Sequence, residues 1–255
     1  MNYFFSIKTD KIKSQLTIPK FQNSGKKNEK NRIYKACIGN NKWVVNEPIF
    51  DQNNNFYFID ESELSNENIF FLATEKELEK IKNRDFLRLD NISLFTDTFP
   101  DYRANLRLIN SEGGFSSYQS EYPHVMTEKK GSILSPMGIL LNKQNDENIL
   151  FFKNIYCTPE HKKFEIFFVN IITKKVISKK IVFTNKTNVI NINNDLISPH
   201  VYLCSKQYVG IPIFLSIKNG HMSLEHTHPP HLYILGLERF KKVMELKKDI
   251  LDVIN

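Results

Sequence analysis

Cysteine is scarce in this sequence, and so is arginine. Three cysteines, Cys37, Cys157 and Cys204, are scattered through 255 residues. An odd, widely spaced set argues against a disulfide framework, and no two stand close enough for a zinc knuckle. No apolar run approaches the ~20 residues that a membrane-spanning helix needs. The opening stretch MNYFFSIKTDKIKSQ has a short apolar patch. It has no basic flank before it and no small-residue cleavage site after it, so it does not read as a signal peptide. These absences predict a reduced, cytoplasmic protein without a membrane span.

Only six of the 35 basic residues are arginine, although the formal net charge is +7. Surfaces that bind nucleic acid rely on arginine for bidentate and stacking contacts. Here the positive charge is lysine, in pairs such as GKKNEK, TEKKG and ITKKVISKK that sit beside turn residues. Lysine, asparagine and isoleucine all have AT-rich codons, so the composition of a bacterial or phage genome is a sufficient cause. A solvated surface is expected, with no specific nucleic-acid partner.

Familiar catalytic signatures are missing too. There is no Gly-x-x-x-x-Gly-Lys-Ser/Thr phosphate loop, no Gly-x-Gly-x-x-Gly opening a helix and no His-Glu-x-x-His. Gly114-Phe115-Ser116-Ser117-Tyr118 lacks the closing glycine of a nucleophile elbow.

What is present is β signal. RIYKACIG, KWVVNEPIF and NFYFIDE are short β-branched and aromatic runs parted by GNN and DQNNN. Residues 21–31, FQNSGKKNEKN, read as a mobile polar loop. Strands return between residues 86 and 108. From 148 to 193, NILFFKNIY, FEIFFVNI, KVISKKIVF and NVININ follow one another at hairpin spacing. This predicts a mostly β (α+β) fold, an antiparallel sandwich or barrel-like sheet. It forms a single β-rich domain over residues 1–255, without a visible internal repeat. Two helices interrupt it. Thr74 and Glu77 make a capping box that starts a short one near 74–84. The tail 237–254 carries Leu237, Phe240, Val243, Met244, Ile250, Leu251 and Ile254 at helical spacing, an amphipathic helix packed on the body.

Two stretches concentrate polar chemistry. Four of the seven histidines lie in GHMSLEHTHPPHLYILG, residues 220–236. On a strand, His226 and His228 share a face. The Pro229-Pro230 step stiffens the turn that carries His231. Three imidazoles can hold zinc, iron or nickel with an open position for chemistry. His221 and Glu225 stand nearby. Gly220, His226 and His228 resemble the first half of the leading cupin motif. Leu232 and Tyr233 occupy its glutamate positions and no second histidine motif follows, so the likeness is local and the family is not claimed.

The other stretch is DYRANLRLINSEGGFSSYQSEYPHVM, residues 101–126. Arg103 and Arg107 share a face if the segment is a strand, and either can grip an anionic group bidentately. Tyr118, Gln119, Tyr122 and His124 suit a sugar-like or other polyhydroxylated ligand.

Two functions follow. The first is a metal-dependent enzyme, with His226, His228 and His231 as metal ligands, Glu121 or Glu225 as acid or base, and Arg103 orienting a polar or anionic small substrate. The second is a non-catalytic β protein that recognises a glycan or protein partner. If there is an active site, residues 103–124 and 221–231 are expected to line it together.

Overall fold

The computed structural model describes residues 2–82, 102–128, 131–138, 141–226 and 237–255. The first half of the chain contributes β1 (Asn2–Phe5), β2 (Ile12–Pro19), β3 (Arg32–Gly39), β4 (Lys42–Asn46), β5 (Phe50–Gln52), β6 (Phe56–Ile59), β7 (Ile69–Ala73), β8 (Asn105–Asn110), β9 (Phe115–Gln119) and β10 (Glu121–Pro123). The second half contributes β11 (Ser132–Pro136), β12 (Glu147–Lys153), β13 (Lys163–Asn170), β14 (Lys175–Phe183), β15 (Thr187–Asn191), β16 (Val201–Ser205), β17 (Ile211–Lys218) and β18 (His221–His226). All pairings are antiparallel, and the strands form four sheets arranged as a four-bladed β-propeller.

Blade 1 has the order β10-β1-β7-β3-β4 and blade 2 the order β5-β6-β2-β8-β9. Blade 3 has the order β11-β16-β13-β14 and blade 4 the order β15-β12-β17-β18. Without the edge strands β5 and β10, the halves are topologically the same. β1, β2, β3, β4, β6, β7, β8 and β9 correspond in turn to β11 through β18. The internal repeat that the sequence does not display is therefore present in the strand order. Antiparallel pairing asks only for alternation and turns, so two halves can share a topology without sharing residues.

The expected sandwich or barrel-like sheet is corrected by this arrangement. Hairpin spacing reports local pairing and leaves open which sheet each hairpin joins. Through 148–193 the chain passes from blade 4 (β12) to the β13–β14 hairpin of blade 3 and back to blade 4 (β15). A run that reads as one meander is thus divided between two blades.

Burial follows the sequence pattern. β2 alternates, with Ile12, Ser14, Leu16 and Ile18 turned inward. β12 and β17 pair from Glu147↔Ile217 to Lys153↔Ile211 and are buried on both faces, which explains their unbroken apolar runs. The largest core cluster joins Tyr3 and Phe71 of blade 1, Leu106 and Tyr118 of blade 2, Phe168 and Leu203 of blade 3, and Phe151 and Phe214 of blade 4. A separate cluster, with Leu16, Ile18, Ile33, Tyr57 and Leu72, lies between blades 1 and 2.

Helix α1 spans Glu75–Lys82. Its capping box is complete: the Thr74 hydroxyl and amide donate to Glu77 Oε2 at 2.9 and 2.8 Å, and the Glu77 amide donates back to Thr74 Oγ1 at 3.4 Å. Helix α2 spans Leu237–Ile254 and lays Ile250 and Ile254 on Phe167, Val169 and Cys204 of blade 3. Residues 21–31 are held by a Phe21–Lys27 bridge and by bonds from Gly25 to Gln22 and Asn31 to Asn28. Of the strands expected between 86 and 108, the part before residue 102 lies outside the described residues. Among the described residues, no helix is long and apolar enough to cross a membrane.

Candidate functional site

The described part of the histidine stretch, up to His226, and the middle of the 101–126 stretch lie on equivalent hairpins, β17–β18 and β8–β9, and these hairpins meet. β9 and β18 lie against one another along their length. The β17–β18 turn is Asn219-Gly220, both with positive φ (50° and 77°), the geometry of a type I′ hairpin that glycine tolerates best. Gly114 packs against it so closely that a Cβ there would sit 2.3 Å from the Gly220 carbonyl oxygen. Further along this seam the rings of Tyr118 and His226 stand edge to face, 4.7 Å between centroids.

At Ser120 the chain crosses from blade 2 to blade 1. Its hydroxyl accepts from the Phe5 amide at 2.9 Å and donates to the Phe5 carbonyl. This crossing carries Glu121 into a buried position, 8% exposed, opposite Phe4. Glu121 Oε1 has no hydrogen-bond partner among the described residues. Burial pushes the carboxyl up to about 8, against the opposing pull of its own and the Ala104 backbone amide and of Arg103. Tyr118 is buried beside it, and burial, followed by the Glu121 charge, raises its phenol well above the ordinary value. A buried carboxyl whose affinity for its proton is raised this far, near a buried tyrosine, is a group able to donate a proton.

The remaining candidates separate. Arg103 is exposed and its Nη1 donates to Gln119 Oε1, both on the outer face of blade 2. Arg107 shares that face and lies 4.1 Å over the Phe115 ring, with Nε unpartnered. Tyr122 is fully buried, its hydroxyl donating to the Val209 carbonyl at 3.3 Å. His124 opens a 3-10 turn, and its carbonyl accepts from the Thr127 amide at 3.0 Å. Glu225 is exposed on the face of β18 opposite His226. His221 lines an open groove of about 510 Å³ with Asn142, Asn145, Ser216 and Ser223. His228 and His231 lie outside the described residues, and among the described residues no three histidines, cysteines or carboxylates gather as a metal site.

Two features escape a reading of the sequence. Lys153 is fully buried, with Nζ 3.3 Å from the Asn66 carbonyl and 5.7 Å from the Phe5 ring centroid. Burial pulls its amine down to about 7, opposed by the Glu67 carboxylate. Only its place in the apolar run ILFFK hints at this. The other is a cleft of about 450 Å³ between blades 1 and 2, at whose rim Lys20, Lys27 and Arg32 gather. These three stand in separate short segments, and no motif links them.

No protein-family model matches the chain, and no curated protein is significantly similar to it.

Proposed function

We propose that this protein is an enzyme that works at the seam between β9 and β18 on a polar, hydroxyl-bearing small molecule. The observation that carries the reading is the contact between Tyr118 and His226, which joins the two polar stretches; Tyr118 in turn feels the charge of Glu121, a buried carboxyl with one oxygen unpartnered among the described residues. Glu121 is the proton donor. It takes that role in preference to Glu225, whose side chain faces away from the seam. Tyr118 fixes the ring of His226 by its edge. A divalent metal (zinc, iron or nickel) held by His226 with His228 and His231 would supply the electrophile. The three unpaired cysteines suit a reducing cytoplasmic setting.

Elemental analysis of tag-free protein tests the metal. About one equivalent is expected, lost in His226→Ala and in His228→Ala. A metal-free protein whose melting temperature ignores added zinc, iron and nickel would shift the assignment to a non-catalytic binding protein. The proton donor has its own readout: an infrared carbonyl band of a protonated carboxyl at pH 7, absent in Glu121→Gln.

A further inference from the structure

We propose that the cleft between blades 1 and 2 binds a small phosphorylated molecule with a planar ring, of the nucleoside-phosphate class. The cleft shares no residue with the seam, and this inference stands whether or not the seam is catalytic.

Three cations from one short stretch of the chain converge there. Lys20 directly follows β2, Lys27 belongs to the loop beyond it, and Arg32 begins β3. Each is held by neutral oxygens. Lys20 Nζ donates to Gln52 Oε1 at 2.6 Å and to the Asn53 carbonyl at 2.7 Å. Lys27 Nζ reaches the Asn54 carbonyl at 3.3 Å. Arg32 Nη1 donates to the carbonyls of Glu29 and Asn31 at 2.7 and 3.1 Å. Carbonyl dipoles fix the positions of these side chains without neutralising them. Glu29 and Glu47 also line the cleft, yet none of the three cations forms an ion pair with them. Burial, and then the charges of Lys27 and Arg32, lower the affinity of Lys20 for its proton, the response of a cation crowded by its own kind. An anion bearing two or more charges relieves that crowding.

The cleft offers more than charge. Its floor is the Tyr57 ring, with Lys20 Nζ 4.6 Å above it and Phe50 edge-on at 5.1 Å. Beneath lies the apolar cluster of blades 1 and 2. Asn31 forms part of the wall and is 7% exposed. Its Nδ2 donates to the Tyr102 hydroxyl at 3.0 Å, whereas its Oδ1 has no partner. An unpaired amide oxygen beside an aromatic floor suits a planar ring that carries N–H donors, and about 450 Å³ holds more than a bare anion.

Isothermal titration calorimetry of the full chain at low salt, with ADP, inorganic phosphate and adenosine as probes, is the test. ADP is expected to bind more tightly than inorganic phosphate, and adenosine not detectably. Lys20→Gln and Arg32→Gln should each weaken ADP roughly tenfold or more, the cost of one charge-assisted contact. Both residues lie at the rim, so the fold survives these changes, and an unaltered melting temperature verifies that. No heat with ADP, equal affinity for ADP and phosphate, or ADP binding unchanged in the double variant would each overturn the proposal.

Discussion

At the seam the polar groups are buried, and the one that matters is short of a partner. At the cleft the cations reach the surface, and each rests on a neutral oxygen. Glu121 lies among β1, β8 and β9 and keeps its proton near pH 7, because ionising it there means charging a dry site. Burial favours groups that exchange protons, and exposure favours groups that hold charge for a ligand. The same small set of side chains can therefore serve transfer in one place and capture in another.

Lys153 breaks the comparison most sharply, because it is a cation placed under the conditions of the seam. Its folded value of about 7 lies below its ordinary 10.5. Stability is therefore fully present above pH 10.5 and is lost as pH falls towards 7. Lys153→Met removes the desolvation cost and should raise stability by roughly 2–4 kcal/mol at neutral pH, with a flatter profile between pH 7 and 10 in chemical denaturation. A fall in stability would show that Lys153 is needed for packing or for its bond to Asn66.

Gly114→Ala tests whether the seam depends on close approach of the hairpins. The new Cβ meets the backbone oxygen of Gly220, which cannot rotate away. A loss of about 1–3 kcal/mol is expected, with a change in the His226 ring resonances in NMR spectra. Unchanged resonances would separate the hairpin tips from the Tyr118–His226 contact.

Glu121→Gln sharpens the contrast from the other side. The wild-type carboxyl is raised from 4.5 to about 8. Its contribution to stability is fully present below pH 4.5 and is lost as pH rises through 8. Glutamine cannot ionise, so the variant should match the wild type below pH 4.5 and exceed it progressively as pH rises towards 9. Parallel pH profiles would contradict a buried, protonated Glu121.

The smallest effect is expected for nucleic acid. Outside the cleft the lysines are dispersed, so an oligonucleotide should bind weakly and lose its affinity at physiological salt. Sequence-selective binding below micromolar concentration would mean that the cleft belongs to a longer basic track.

The parts of the fold that depend on neighbours in the chain were legible. Thr74 and Glu77 announced α1. The blades were not legible, since β1 pairs with β7 and β10 rather than with β2, and nothing local fixes that choice. Of the candidate residues, Tyr118 and His226 come together because β9 and β18, the equivalent strands of the two halves, lie against one another. Arg107 and Tyr122 instead serve Phe115 and Val209. The cleft stayed hidden because Lys20 and Tyr57 meet only through the β2–β6 pairing, which places Pro19 opposite Phe56.

The duplicated strand order has a consequence for whatever enters the seam. Two hairpins of the same topology face each other there, but one presents a phenol and the other an imidazole. The frame has matching halves, whereas its lining does not. A molecule with two similar ends, laid along the seam, would meet different chemistry at each.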